Sequence, residues 1–180
     1  MHAIINQSKP DKMLFVNVLL LITATLTGLN AGLLYAYACS VNLGLSQLPD
    51  KEYLAAMQSI NKEILNPIFF MGFFGALILL PVSSFATYSQ PVSFRFIFLI
   101  VATLVYATGT FGVTAFGNVP LNNVLAKINL QSASSVEISR IRIDFESPWN
   151  RLHNIRTVTS IISLVFVILA CLSKGDTIGK

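Results

Sequence analysis

The sequence predicts an all-α fold: an integral membrane four-helix bundle with amphipathic loop helices on one face. Three observations predict it. Hydrophobic residues make up 54% of the chain and charged residues 11%, whereas soluble domains carry about 25% charged residues. Segments 14–37, 67–88 and 96–117 contain 24, 22 and 22 residues with no charge among them. A bilayer core about 30 Å thick needs about 20 helical residues, so each is long enough to cross. A fourth span is predicted at 150–172, although its uncharged run, Thr157 to Leu172, has only 16 residues. The 180 residues form one transmembrane domain, 1–180, with no separate soluble domain.

Residues 1–12 are polar and read as a frayed leader. The apolar run of the first span exceeds the 7–15 residues of a signal-peptide core, so it is expected to stay uncleaved. Within it, Gly28-Leu29-Asn30-Ala31-Gly32 forms a small-xxx-small pattern that favours close helix approach. Asn30 is either an interhelical hydrogen-bonding group or a polar wall of a pocket. After it, Asp50 can cap a helix. Tyr53, Met57, Ile60 and Ile64 then recur at helical spacing, which predicts an amphipathic helix over 50–65 lying on the membrane or across the bundle mouth. Asn66-Pro67 opens the second span with proline at a permitted first-turn position.

A short turn, Ser89 to Arg95, leads into the third span, whose Gly109, Gly112 and Gly117 suggest close packing or room for a ligand. Pro120 is expected to interrupt that helix, and Asn118, Asn122 and Asn123 stand ready for the freed backbone groups. Residues 119–148 are expected to be extramembrane. Ile138, Ile141 and Phe145 fit a helical stripe there; Ile141, Ile143 and Phe145 also fit strand alternation, and the helix is preferred.

The basic residues are scattered, so the net charge of +4 does not indicate nucleic-acid binding. The side holding the termini carries Lys9, Lys12, Arg95, Lys174 and Lys180; the other carries Lys51, Lys62, Lys127, Arg140, Arg142, Arg151 and Arg156. The first span's flanking lysines favour a plasma membrane topology with both termini in the cytoplasm. Cys39 and Cys171 fall at opposite membrane faces and are expected to be unpaired.

This topology gathers Tyr35, Tyr37, Asn66, Asn118, Asn122, Trp149, His153 and Arg156 at the end of the bundle with the long loops. Trp149, His153 and Arg156 are spaced by four and then three residues, so they share a helical face that Ser160 continues. The short fourth span is expected to draw them to membrane depth, where ionisable groups mark functional sites; the plainer reading is an aromatic belt with a snorkelling arginine. No metal site is expected, because His2 is the only other histidine and no cysteine or carboxylate sits at ligand spacing from His153. There is no phosphate-cradling glycine loop and no nucleophile elbow. A neutral imidazole can accept a proton from a phenol or carbon acid. An arginine one turn away can hold the oxyanion, and an indole offers a face to an aromatic ligand.

These residues lie in motifs similar to those of the anthrone oxygenase-like membrane proteins. The motifs are Gly28 to Tyr35; Leu48-Pro49-Asp50; Ala56-Met57-Gln58-Ser59-Ile60-Asn61; Asn66-Pro67; Asn118-Val119-Pro120-Leu121-Asn122; and Phe145-Glu146 through Trp149, His153, Arg156 and Thr157. The resemblance covers roughly 14–172. It implies oxidation of a hydrophobic anthrone or phenol by O2 without a cofactor, in which His153 deprotonates the substrate and Arg156 stabilises the anion. Trp149, Asn118, Asn122, Asn66, Tyr35 and Asn30 are the expected substrate-binding residues. The expected partners are the lipid bilayer and a hydrophobic aromatic small molecule. The alternative is a non-catalytic four-span protein, a ligand or lipid binder or a partner subunit. In that case His153 and Arg156 should pair with Asp144 or Glu146 and leave no cavity.

Overall fold

The computed structural model describes residues 4–173, with side chains from 11 onward. His2, Lys174 and Lys180 lie outside the described residues. In chain order the elements are α1 (Ile4–Ala36), a π-helical turn (Tyr37–Val41), α2 (Asn42–Ser46), α3 (Asp50–Glu63), α4 (Pro67–Thr87), α5 (Phe94–Val105), two π-helical turns (Tyr106–Gly112 and Thr114–Asn118), α6 (Val119–Ala126) and α7 (Ser135–Leu172). Four continuous helical rods, 11–46, 67–87, 94–126 and 135–172, are long and apolar enough to cross a membrane. The protein is an all-helical membrane bundle.

The rods form a ring: α1 packs on α4 and α7, and α5 packs on the same two. Small and hydroxyl-bearing side chains fill the seams. Thr23 and Ser83 hydroxyls meet at 2.8 Å, the Ser163 hydroxyl donates to the Ala102 carbonyl at 2.9 Å, and the Tyr106 hydroxyl donates to the Phe73 carbonyl at 3.0 Å. In lipid, where apolar burial drives little association, such packing and hydrogen bonding hold helices together. Ala76, Leu80, Ala102, Tyr106 and Val167 fill the middle of the bundle.

Three expectations change here. The first concerns close approach: a Cβ on Gly28 would make only an ordinary contact with Leu164, and one on Gly32 would meet open space. The tight crossing is at Gly109, where a Cβ would fall 2.4 Å from Thr159 Cγ2. Thr159 is β-branched and stiff within its helix. Gly109→Ala should therefore cost about 1–3 kcal/mol through overpacking. A detergent melting curve should show a drop of several degrees, while Gly32→Ala melts like the wild type.

The second concerns Pro120, which does not break the third rod. Val119 keeps helical dihedrals (φ −61°, ψ −45°), and the helix runs on to Ala126. The π turns widen the backbone just before the proline. The ring then avoids the carbonyl one turn back, which in a regular α-helix it would strike.

The third concerns residues 135–149, which run into the last span without a break. They form the first turns of α7, a 38-residue helix about 57 Å long. Ile138 and Phe145 lie on its buried face, which settles the helix-or-strand alternative. Arg140 pairs with Asp144, and Arg142 with Glu146, at four-residue spacing along the helix.

The amphipathic helix at 50–65 is α3. Its Tyr53, Leu54 and Met57 pack with Leu125, Leu130, Ile138, Phe145 and Trp149 as a cap on one end of the bundle. Arg142 fastens the cap. It donates to Asp50 Oδ1 at 3.0 Å, to Glu146 Oε2 at 2.8 Å and to the Leu48 and Ser46 carbonyls, and it lies 4.5 Å above the Tyr53 ring. Burial raises the Tyr53 phenol above its ordinary range, with Glu146 adding to the effect, so Tyr53 stays un-ionised.

Candidate functional site

Under the cap, the buried face of α7 carries Trp149, His153, Thr157 and Ser160 in succession. His153 is fully buried. Its ring stacks on Trp149 with centroids 5.1 Å apart and planes at 7°. Tyr37 closes on both rings, 5.2 Å from His153 and 5.5 Å from Trp149.

The hydrogen bonds fix the histidine tautomer. Arg156 Nε and Nη2 donate to His153 Nδ1 at 3.2 and 3.0 Å. A guanidinium only donates, so Nδ1 is the bare nitrogen and Nε2 carries the proton. Nε2 lies 3.4 Å from Thr157 Oγ1, and that hydroxyl in turn donates to the His153 carbonyl at 2.8 Å.

Arg156 also reaches Thr114 Oγ1 at 3.5 Å and lies 5.2 Å above the Trp149 ring. Among the described residues no carboxylate is within 4.0 Å of it. The two candidates are engaged elsewhere, Asp144 with Arg140 and Glu146 with Arg142. A half-buried guanidinium left to an imidazole, a hydroxyl and a ring is short of negative charge, and within a membrane span that is costly.

Beside this cluster lies a recess of about 100 Å³. Trp149, His153 and Arg156 form its α7 wall, and Thr114, Val119 and Asn122 form a second. Leu33, Leu34 and Tyr37 come from the first rod, and Ile60, Asn61 and Ile64 from α3 and its end. Leu65 and Phe69 complete the lining. Leu33 and Leu65, both exposed, mark the open rim. The lining is mainly apolar with a few convergent polar groups, the usual character of a small-molecule site.

The expected binding residues divide. Asn122 lines the recess, and its Oδ1 accepts from Trp149 Nε1 at 2.8 Å, fixing the indole. Asn118 stands behind it, fully buried, with Nδ2 donating to the Trp149 carbonyl at 3.2 Å; it is a buttress and does not touch the recess. Asn66 caps α4, with Oδ1 accepting from the Phe69 amide and Nδ2 donating to the Glu63 carbonyl. Its side chain is spent on turning the chain, and it is not part of the lining. Asn30 bonds the Leu26 carbonyl of its own helix and packs into the space left by Gly72, also away from the recess.

Tyr35 is 58% exposed and points outward. Residues two apart lie on nearly opposite faces of a helix, and Tyr37 is the one that faces in. The sequence reading placed Tyr37 at this end of the bundle without choosing it; the missing signal was its phase relative to Leu34, with which it lines the recess. Asn61 and Thr114 were not anticipated. Asn61 shares the α3 stripe with Met57 and Ile64, and Thr114 sits in a π turn that hydrophobic periodicity does not reveal. Cys39 and Cys171 are both free and exposed.

The anthrone oxygenase family model matches residues 68–166. The match includes the Asn118–Asn122 and Phe145–Thr157 motifs; the motifs before residue 68 precede it. No curated protein and no solved structure matches the chain. The matched segment spans more than half of the sequence and contains the buried histidine, its arginine and its indole, so the chain belongs to the anthrone oxygenase family.

Proposed function

We propose that this protein is a cofactor-independent membrane oxygenase that uses O2 on a hydrophobic hydroxyarene, such as the enol form of an anthrone. One observation carries the reading. A guanidinium without a carboxylate partner is hydrogen-bonded to the bare nitrogen of a buried imidazole, at the edge of an apolar recess. Both groups line the recess, so a single substrate oxygen placed between them would meet a donor and a proton acceptor. The acidic hydrogen they suit is therefore an O–H. The C–H of a keto anthrone lies at the far side of the central ring from its oxygen and fits this arrangement less well.

In this scheme the substrate hydroxyl enters between the two residues. The guanidinium donors move from His153 Nδ1 to the hydroxyl oxygen, and Nδ1 takes the proton. The aryloxide, held by Arg156, is electron-rich at the carbon para to its oxygen. O2 forms a C–O bond there, and the imidazolium returns the proton to give the hydroperoxide. Loss of water leaves a second ring carbonyl, so anthrone plus O2 gives anthraquinone plus water.

The recess is smaller than the roughly 150 Å³ apolar cavity that admits benzene. It therefore takes the hydroxyl-bearing edge of one ring, and the rest of the substrate lies outward past Leu33 and Leu65. An opening of apolar side chains suits a substrate and product that partition into lipid. The loop end faces away from the cytoplasm if both termini are cytoplasmic in the plasma membrane, the topology we favour.

The test is oxygen uptake by the purified chain in nanodiscs supplied with anthrone. One O2 consumed and one anthraquinone formed per turnover, above empty nanodiscs, is the expected result. Ligand binding without oxygen uptake would instead identify a non-catalytic binding protein.

A further inference from the structure

Asn61 stands on the α3 wall of the recess, and its Nδ2 is buried with no hydrogen-bond partner. Its neighbours on that wall, Ile60 and Ile64, are apolar. A buried donor left empty costs about 1–3 kcal/mol. The helix cannot roll to relieve it. Gln58 Nε2 donates to the Leu125 and Ile128 carbonyls at 2.8 and 3.0 Å, and fully buried Met57 takes the Tyr37 hydroxyl on its sulfur at 3.3 Å. The amide is thus pinned at the recess from α3, while His153 and Arg156 occupy the α7 wall.

We propose that Asn61 is a specificity-determining residue, whose amide N–H donates to a second, carbonyl-type oxygen of a ligand whose hydroxyl meets His153 and Arg156. The preferred ligands are then hydroxyarenes with a hydrogen-bond-accepting oxygen remote from the acidic hydroxyl. The inference rests on the pose of the proposed function and not on its oxygen chemistry.

The test compares 4-hydroxyacetophenone with 4-isopropylphenol, which match in shape and differ in the acceptor oxygen. Equilibrium dialysis is run against the full chain in nanodiscs, with empty nanodiscs subtracted. The wild type should favour the ketone about tenfold, the effect of one good hydrogen bond. In Asn61→Leu and Asn61→Ser that preference should collapse to near the ratio set by phenol acidity alone, a contribution common to all three proteins. Unchanged affinity for 4-isopropylphenol shows that a variant is folded. A preference that survives in a variant passing this check overturns the assignment and leaves an ordered water as the partner of Nδ2. Failure of both phenols to bind the wild type overturns the assignment together with the pose of the proposed function. A collapse of the preference, with no oxygen uptake in the anthrone assay, upholds Asn61 and removes the oxygenase reading alone.

Discussion

His153→Ala lowers turnover of anthrone, followed as oxygen uptake, by about 10²–10⁴-fold, the range for loss of a positioned proton acceptor. The imidazole is fully buried, its bare Nδ1 faces Arg156, and Thr157 holds its other nitrogen. No other described residue at the recess offers a comparable base, since the Tyr37 hydroxyl donates a hydrogen bond to the Met57 sulfur and Asn122 is held by the indole. The variant's remaining activity should rise with pH as the substrate hydroxyl ionises unaided, and added imidazole should restore part of the rate. The deletion also opens a gap beside Trp149, so a melting curve must show that the variant is folded. Wild-type turnover in a folded variant would remove His153 from the chemistry.

Arg156→Gln should be nearly as damaging, with kcat falling about 10²–10³-fold, as when an oxyanion donor is lost in a water-poor site. Glutamine can still donate to Nδ1, so the variant separates anion stabilisation from orientation of the imidazole. Arg156→Lys keeps the charge but loses the planar fork that reaches Nδ1 through two nitrogens. It should fall between glutamine and the wild type. A glutamine variant with an unaltered kcat and a raised KM would reassign Arg156 to ground-state binding.

The spacing of Trp149, His153 and Arg156 was legible because it needs only the helical period. The sheltering of these groups followed by a different route from the one the sequence suggested. An apparently short last span was expected to pull them inward; α7 is in fact long, and burial comes from their place on the bundle-facing side of an unbroken helix. Its first turns carry charge, and Arg140–Asp144 and Arg142–Glu146 are pairs along that same helix. The third rod was misread at Pro120, because no hydrophobic pattern distinguishes a π turn from an α turn. That same blind spot hid Thr114. Asparagines could be counted but not sorted. Asn66 is a cap, Asn30 a back-bonded packing residue, Asn118 a buttress and Asn122 a recess residue, and only the tertiary neighbours of each decide which.

Trp149 is the sole tryptophan in the chain. Its indole is stacked on the imidazole, overlain by the guanidinium and anchored by Asn122. Light absorbed and re-emitted by tryptophan in this molecule therefore originates at one place, the wall of the recess. The protein carries its own unlabelled optical gauge of whether that chamber is empty, filled or repacked.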